Sequence, residues 1–191
     1  MKSLRLLICA LPVMLTGCST LSSVNWSAAY PWNWFGASTE VTAQGVGKIN
    51  ATTPMEQEAI ASGLSSDYRL RSGMKTENGN IVRYFEALKD DQLALVISGD
   101  QSTVKRIEVL DSEIETDSGV KIGTPFSDLY QKAFGNCVSA AAEEGVGVEC
   151  KDKESQQISY LFTGAWSGPE GLMPSDDTLK GWKVSKIIWQ Q

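Results

Sequence analysis

Apolar and polar positions along this chain change period in a fixed order, and the order occurs twice. In the first succession Ile81 to Leu88 carries Tyr84 and Phe85, Gln92 to Ser98 is built on Leu93-Ala94-Leu95-Val96-Ile97, and Thr103 to Leu110 alternates through Val104, Ile107 and Val109. These runs read as strands. Asn78-Gly79-Asn80, Asp90-Asp91 and Gly99-Asp100 supply the turns between them. In the second succession Val146 to Cys150, Gln157 to Phe162 and Trp182 to Trp189 take the corresponding places. Connections this short favour an antiparallel meander.

Ahead of each set of strands stands a Thr-Pro pair. Thr53-Pro54-Met55 leads into a stretch bearing Ala, Ile and Leu that ends at Leu64, and Thr124-Pro125-Phe126 leads into Leu129, Tyr130, Ala133 and Phe134. A threonine hydroxyl can cap free helical amides, and proline at the first helical position gives up no needed donor, so both pairs predict helix starts. Leu129, Ala133 and Phe134 recur at helical spacing, with Gly135-Asn136 as the stop. Further upstream, Glu40-Val41-Thr42, Gly45-Val46 and Ile49 match Glu113-Ile114-Glu115, Gly119-Val120 and Ile122 in order. The expected fold is α+β, with short helices packed on a mainly antiparallel sheet. It occupies a single domain over residues 40–191, read as a tandem pair of helix-plus-meander units, 40–110 and 111–191.

Residues 1–17 follow another pattern: Lys2 and Arg5, an apolar run from Leu6 to Leu15, then small residues. This is the order of a secretory signal peptide. A helix crossing a hydrocarbon core of about 30 Å needs roughly 20 apolar residues, so the run is too short to span. Leu15-Thr16-Gly17-Cys18 resembles the lipobox of bacterial lipoproteins. The resemblance implies cleavage before Cys18, a diacylglyceryl thioether on its sulfur and acylation of the freed amine, and several acyl chains make a stable anchor where one does not. Ser19 stands where the sorting rule of that class places Asp for inner-membrane retention, which implies an outer-membrane protein facing the periplasm. Residues 18–39 form a tether carrying Trp26, Tyr30, Trp32, Trp34 and Phe35. Those rings either settle at the lipid headgroup boundary or pack on the folded domain.

Composition narrows the chemistry. The chain has a formal charge of −6 and no histidine. Removing Lys2 and Arg5 with the leader leaves 15 basic against 23 acidic residues, which argues against nucleic acid as a partner. Without histidine there is no Ser-His-Asp or Cys-His system, no histidine-bound zinc and no imidazole base. Four cysteines are present, of which Cys9 leaves with the leader and Cys18 is taken by lipid. Cys137 and Cys150 then read most simply as a disulfide in an oxidising compartment, the rival being a redox pair without the C-x-x-C spacing.

No catalytic residue, metal ligand or cofactor site can be named from the remaining motifs. Asp111, Glu113, Glu115 and Asp117 recur at every second position and would share one face of a strand, an acidic stripe read as a solvated face. Glu143-Glu144 and Asp176-Asp177 read as exposed turns, and Gly45-x-Gly47 and Gly145-x-Gly147 as backbone turns. The long loop Thr163 to Pro174 is rich in Gly and Pro and carries Trp166 and Leu172. With Trp182 at its far end it is the candidate binding surface, since such loops commonly serve recognition. The alternative is that Trp166 and Leu172 simply cover one end of the sheet.

Taken together, the lipobox, the segment Pro31-Trp32-Asn33-Trp34-Phe35-Gly36 and the segment Gly119-Val120-x-Ile122-Gly123-Thr124-Pro125 resemble the YfeY-type lipoproteins of enterobacteria over the full length. The resemblance implies control by the envelope-stress sigma factor E and brings no known activity. The leading expectation is a non-catalytic, membrane-tethered module that binds a periplasmic protein, peptide or envelope component. The alternatives are a carboxylate-based hydrolase of cell-wall or lipid material, which needs a polar pocket of paired carboxylates, and a structural lipoprotein.

Overall fold

The computed structural model describes residues 39–191 apart from 78, 101, 142, 143 and 170. The leader, Cys18 and the aromatic tether up to residue 38 lie outside the described residues. In chain order the elements are β1 (Glu40–Thr42), β2 (Gly45–Val46), β3 (Ile49–Asn50), α1 (Gln57–Gly63), β4 (Arg69–Glu77), β5 (Asn80–Lys89), β6 (Gln92–Gly99), β7 (Val104–Val109), β8 (Glu115–Thr116), α2 (Phe126–Leu129), β9 (Cys137–Ser139), β10 (Gly147–Lys151), β11 (Ile158–Thr163), α3 (Asp176–Leu179) and β12 (Lys183–Gln190).

The long strands form one antiparallel sheet in the order β4-β5-β6-β7-β12-β11-β10-β9. The last strand of each half, β7 and β12, therefore meets its counterpart at the centre, through pairs such as Val109 with Ile187 and Ile107 with Trp189. The smaller sheet runs β3-β2-β1-β8, with β1 and β8 parallel, so the opening strands of the two halves also meet. Tight turns make the meander: Asp90 and Asp91 both take positive φ, as a two-residue hairpin matching the strand twist requires.

One face of the large sheet is the core side. Ile97, Ile107, Ile187 and Trp189 join there with Val41, Val46 and Ile49 of the small sheet and with the buried residue of each helix, Ile60, Phe126 and Leu179. The Trp189 ring nitrogen donates to the carbonyl of Ala43 at 3.1 Å, tying the small sheet onto the large one. The architecture is the α+β arrangement of short helices on a mainly antiparallel sheet. Alternation then sends Glu86, Val96, Glu108, Ile188 and Ser159, which are neighbours by register, to the opposite face.

The two Thr-Pro segments do something other than cap helices. Thr53 Oγ1 accepts from the amide of Asn50 at 3.0 Å, and Thr124 Oγ1 from the amide of Lys121 at 3.2 Å. Pro54 and Pro125 each sit in an isolated bridge, to Thr103 and Lys183. The next amide, Met55 or Phe126, donates to Ser102 or Trp182, while Val104 and Val184 donate back to the carbonyls of Thr53 and Thr124, all at 2.9–3.0 Å. Each pair thus fastens the crossover segment to the start of its own half's last strand. Helix formation begins only afterwards, at Gln57 behind Glu56 and at Phe126 behind Pro125, neither with a side-chain cap.

The stripe Leu129, Ala133, Phe134 is likewise not one helix. α2 ends at Leu129, and Tyr130 leaves it extended. That turn lets the Tyr130 ring pack on Phe126 and Phe162, and its hydroxyl donate to the carbonyl of Lys151 at 2.6 Å. Ala133 is buried, but Phe134 is 85% exposed. Asp176 and Asp177 are not a turn: they open α3 behind Ser175, whose hydroxyl accepts from the amide of Thr178. Strands β4 and β9 carry no clear sequence signal, β4 because RLRSGMKTE, at a sheet edge, has only Leu70 and Met74 as large apolar residues among polar ones.

The acidic stripe is also broken up. Asp111 closes a turn by accepting from the amide of Glu113 at 2.9 Å, and Lys89 pairs with both carboxylates. Glu115 and Asp117 instead fall beside Glu40, whose pKa is raised by partial burial and then by those two negative neighbours. A turn at Asp111 forbids the continuous extension that a shared face needs.

Candidate binding site

The edge formed by β9 and β10 is secured covalently. Cys137 lies directly opposite Cys150, with Cα atoms 4.0 Å apart, and the two are disulfide-bonded. The neighbouring pair Asn136 and Lys151 is hydrogen-bonded, so the cysteines occupy the closer, non-hydrogen-bonded type of pairing, where side chains approach best. Without this bridge β9 would be a three-residue edge strand held on one side only.

Beside this edge, the loop from Gly164 to Ser175 folds back to form a cleft of about 450 Å³, lined chiefly by Val146, Trp166, Pro169, Leu172, Pro174 and Trp182. Trp166, Leu172 and Trp182, the three residues singled out from sequence, meet there in different roles. Leu172 is exposed at the mouth, Trp166 is half-buried, and Trp182 is buried beneath them. Glycine makes the packing feasible: a Cβ on Gly164 would lie 2.3 Å from the Trp182 ring, and one on Gly168 would lie 2.1 Å from the Trp166 ring. Among the described residues the buried indole nitrogen of Trp166 has no hydrogen-bond partner.

Among the described residues the lining of the cleft has no titratable side chain. Its size and apolar aromatic walls are those of a small-ligand or side-chain pocket. Val146, which also lines it, is exposed, and Val138 on the adjacent edge strand is too. Sequence reasoning passed over Val146, Pro169 and Pro174, although the density of Gly and Pro in the loop was the available signal.

Two groups of polar side chains lie elsewhere. At the far end of β11 the hydroxyl of Tyr160 donates to Asp152 Oδ1 at 2.8 Å. Burial, then the neighbouring Asp152, pushes the Tyr160 phenol far above its usual range; burial, followed by the nearby Tyr160 and Asp152, does the same to Tyr130. Both phenols stay protonated at neutral pH and are poor proton shuttles.

The second group lies on the sheet face opposite the core, at the seam of β7 and β12. Arg106 Nε donates to Glu108 Oε1 at 2.9 Å, and Lys186 Nζ donates to Glu108 Oε2 at 2.7 Å and to Glu144 Oε2 at 2.6 Å. Burial alone would raise the Glu108 pKa, but hydrogen bonds from Lys186 and Arg106 outweigh it and the pKa is lowered. Burial would lower the Lys186 pKa, but its bonds to Glu108 and Glu144 raise it. Such an arrangement holds Glu108 ionised and suits binding better than proton donation. Among the described residues no group of three or more His, Cys, Asp or Glu side chains is placed to hold a metal ion.

A family model described as "Protein of unknown function (DUF1131)" matches residues 23–191. The chain is 68% identical over its full length, and over the full length of the relative, to "Uncharacterized protein YfeY" of Escherichia coli strain K12. It also resembles the solved "Crystal structure of the uncharacterized protein yfeY from Escherichia coli", with a TM-score of 0.73 and 64% identity, covering 80% of this chain and 100% of that one.

Proposed function

The chain belongs to the DUF1131 family, the family of the YfeY protein, and from this starting point we propose that it is a lipid-anchored, non-catalytic binding module on the periplasmic face of the outer membrane. The anchor is Cys18, acylated after removal of residues 1–17, and residues 18–39 link it to the folded domain. The envelope-stress response is the setting in which such a module would be called on.

The observation that carries the binding reading is the cleft of Trp166 and Leu172, whose described lining residues are mostly aromatic and apolar and include no titratable group. A carboxylate-based hydrolase needs two carboxyl groups facing each other across the substrate, one of them with a raised pKa. The described residues of the cleft offer neither. A neutral, apolar element of a periplasmic protein, peptide or envelope component is the ligand that its lining favours.

Two experiments test this reading. Cells fed labelled palmitate should incorporate label into the protein, Cys18→Ala should abolish incorporation, and the labelled form should fractionate with the outer membrane. A photo-crosslinking amino acid at position 172 should give one defined adduct in cells, lost when Val146→Asp puts a charge at the mouth of the cleft. Label on the Cys18→Ala variant, or turnover of cell-wall or lipid substrate by the purified protein, would overturn the proposal.

A further inference from the structure

Register fixes which backbone groups of β9 are used by the sheet. The amide of Lys151 donates to the carbonyl of Asn136 at 3.0 Å, and the amide of Ala140 to the carbonyl of Gly147 at 2.9 Å. Hydrogen-bonded pairing with β10 therefore falls at Asn136, Val138 and Ala140, every second residue. Cys137 and Ser139, between them, turn their amides and carbonyls away from β10 and towards the open edge. The Cys137 amide is taken by the carbonyl of Ala133 at 2.9 Å, which closes that end. The Ser139 amide and carbonyl have no partner among the described residues, and Ser139 is exposed.

This free edge opens into the Trp166 cleft, since Ser139 lines the cleft together with Ala140, Gly145, Val146 and Gly147. Ser139 pairs in register with Val148, and Val148 with Phe162, both buried, so the three share one side of the sheet. Val146, two places before Val148, carries that side on to the cleft. A strand laid antiparallel along Ser139 would exchange both backbone bonds with it through a single residue, whose side chain would share the face of Ser139. The residues flanking that one would lie on the other face beside Val138, which is 64% exposed. The disulfide holds Cys137 against Cys150, so the edge two residues further on is presented in one register.

We propose that Ser139 is the backbone anchor for an extended peptide segment of a partner protein, which adds to β9 as a further antiparallel strand and places one neutral apolar side chain in the Trp166 cleft. An unpaired donor and acceptor on one strand residue are the complement of an extended peptide unit. An acyl chain offers neither group, and a helix has already spent its own on itself. A second copy of β9 laid symmetrically on the first would bring a serine to the cleft and leave its apolar walls uncovered. This role for Ser139 rests on the cleft being a binding site and adds how the ligand is held there.

The test is an NMR titration of the full chain with N-acetyl-valyl-leucyl-valyl amide, reading the Ser139 backbone amide and the Trp166 indole. Both resonances should shift together, and the Ser139 amide should exchange with solvent more slowly at saturation. Methylating the leucyl nitrogen of the probe removes the donor to the Ser139 carbonyl and should weaken binding about tenfold, the worth of one hydrogen bond. Ser139→Pro removes the outward amide without breaking the ladder to β10, so it should weaken binding by about the same factor and leave Tm unchanged. Should Ser139→Pro not fold, the methylated probe on the wild-type chain decides alone. Equal affinity for the methylated probe, or a shift of the Trp166 indole with the Ser139 amide unmoved, would overturn strand addition while the cleft reading stands. Shifts at neither position would overturn it together with the cleft as a peptide site. Dodecyl maltoside, which has an alkyl chain and no peptide unit, should leave the Ser139 amide unmoved, and an equal shift there would overturn the proposal. A Ser139 shift that follows protein concentration without any probe would assign the edge to a second copy of the chain and overturn it too.

Discussion

Lys186 donates to Glu108 across the seam where the two halves of the sheet join, and both side chains are nearly covered. The depressed pKa of Glu108 makes its contribution to stability full above the ordinary glutamate value of 4.5, and that contribution is lost as pH falls through the lower folded value. The raised pKa of Lys186 works the other way: its contribution is full below 10.5 and is lost as pH rises through the higher folded value. Between these limits the pair is at full strength. Glu108→Gln should cost about 2 kcal/mol at neutral pH, by leaving two covered cations short of a carboxylate, and should flatten the acid limb of a plot of Tm against pH. An unchanged acid limb would assign that limb to other carboxylates.

The disulfide closes a short loop, Cys137 to Cys150. In the chain-entropy account a loop of this size is worth about 3 kcal/mol. Reduction, or Cys137→Ser with Cys150→Ser, should lower the denaturation midpoint by a corresponding amount. Hydrogen exchange should show the loss of protection concentrated in β9 and β10, because β9 has no second neighbour to hold it.

Gly164 and Gly119 allow a paired comparison. A methyl on Gly164 would enter the Trp182 ring, so Gly164→Ala should cost roughly 1–3 kcal/mol and alter near-ultraviolet circular dichroism. A Cβ on Gly119 would meet no described atom within 4 Å beyond its chain neighbours, and the penalty there comes from its φ of +80°. Gly119→Ala should therefore leave the tryptophan signal intact while still lowering Tm slightly.

Thr53 and Thr124 make the same bond to the residue three places earlier. Thr53→Val and Thr124→Val keep the shape and remove the acceptor, so each should cost about 1 kcal/mol, with additive effects in the double variant. Strongly unequal or non-additive losses in calorimetry would contradict the equivalence of the two joints.

The strand-rich meander was legible because its strands carry an apolar stripe on one side, and Ile97, Ile107 and Ile187 lie where that stripe predicts. The two halves were legible through ordered motifs, whereas the lipid anchor is proposed from the contiguous signal ending at Cys18, which lies outside the described residues. The cysteine pairing followed from arithmetic and compartment. For the Trp166 loop, composition marked the place without revealing that Trp182 would be buried beneath it and Leu172 left outside.

Other features depended on contacts between residues far apart in the chain. Thr-Pro spells a helix cap locally, but Ser102 and Trp182 offer backbone partners that draw both segments into bridges instead. Helical spacing from Leu129 to Phe134 yields to the Tyr130 ring, which is more stable packed on Phe162 than in another turn. Arg106, Glu108, Glu144 and Lys186 bear no motif, because they come together only when β7 meets β12 and Glu144 is brought beside Lys186. Periodicity is set by neighbours along the chain and can be read from order alone. Which partners complete a backbone bond or balance a covered charge is decided by the packed sheet, since only there does the cost of leaving them unpaired arise.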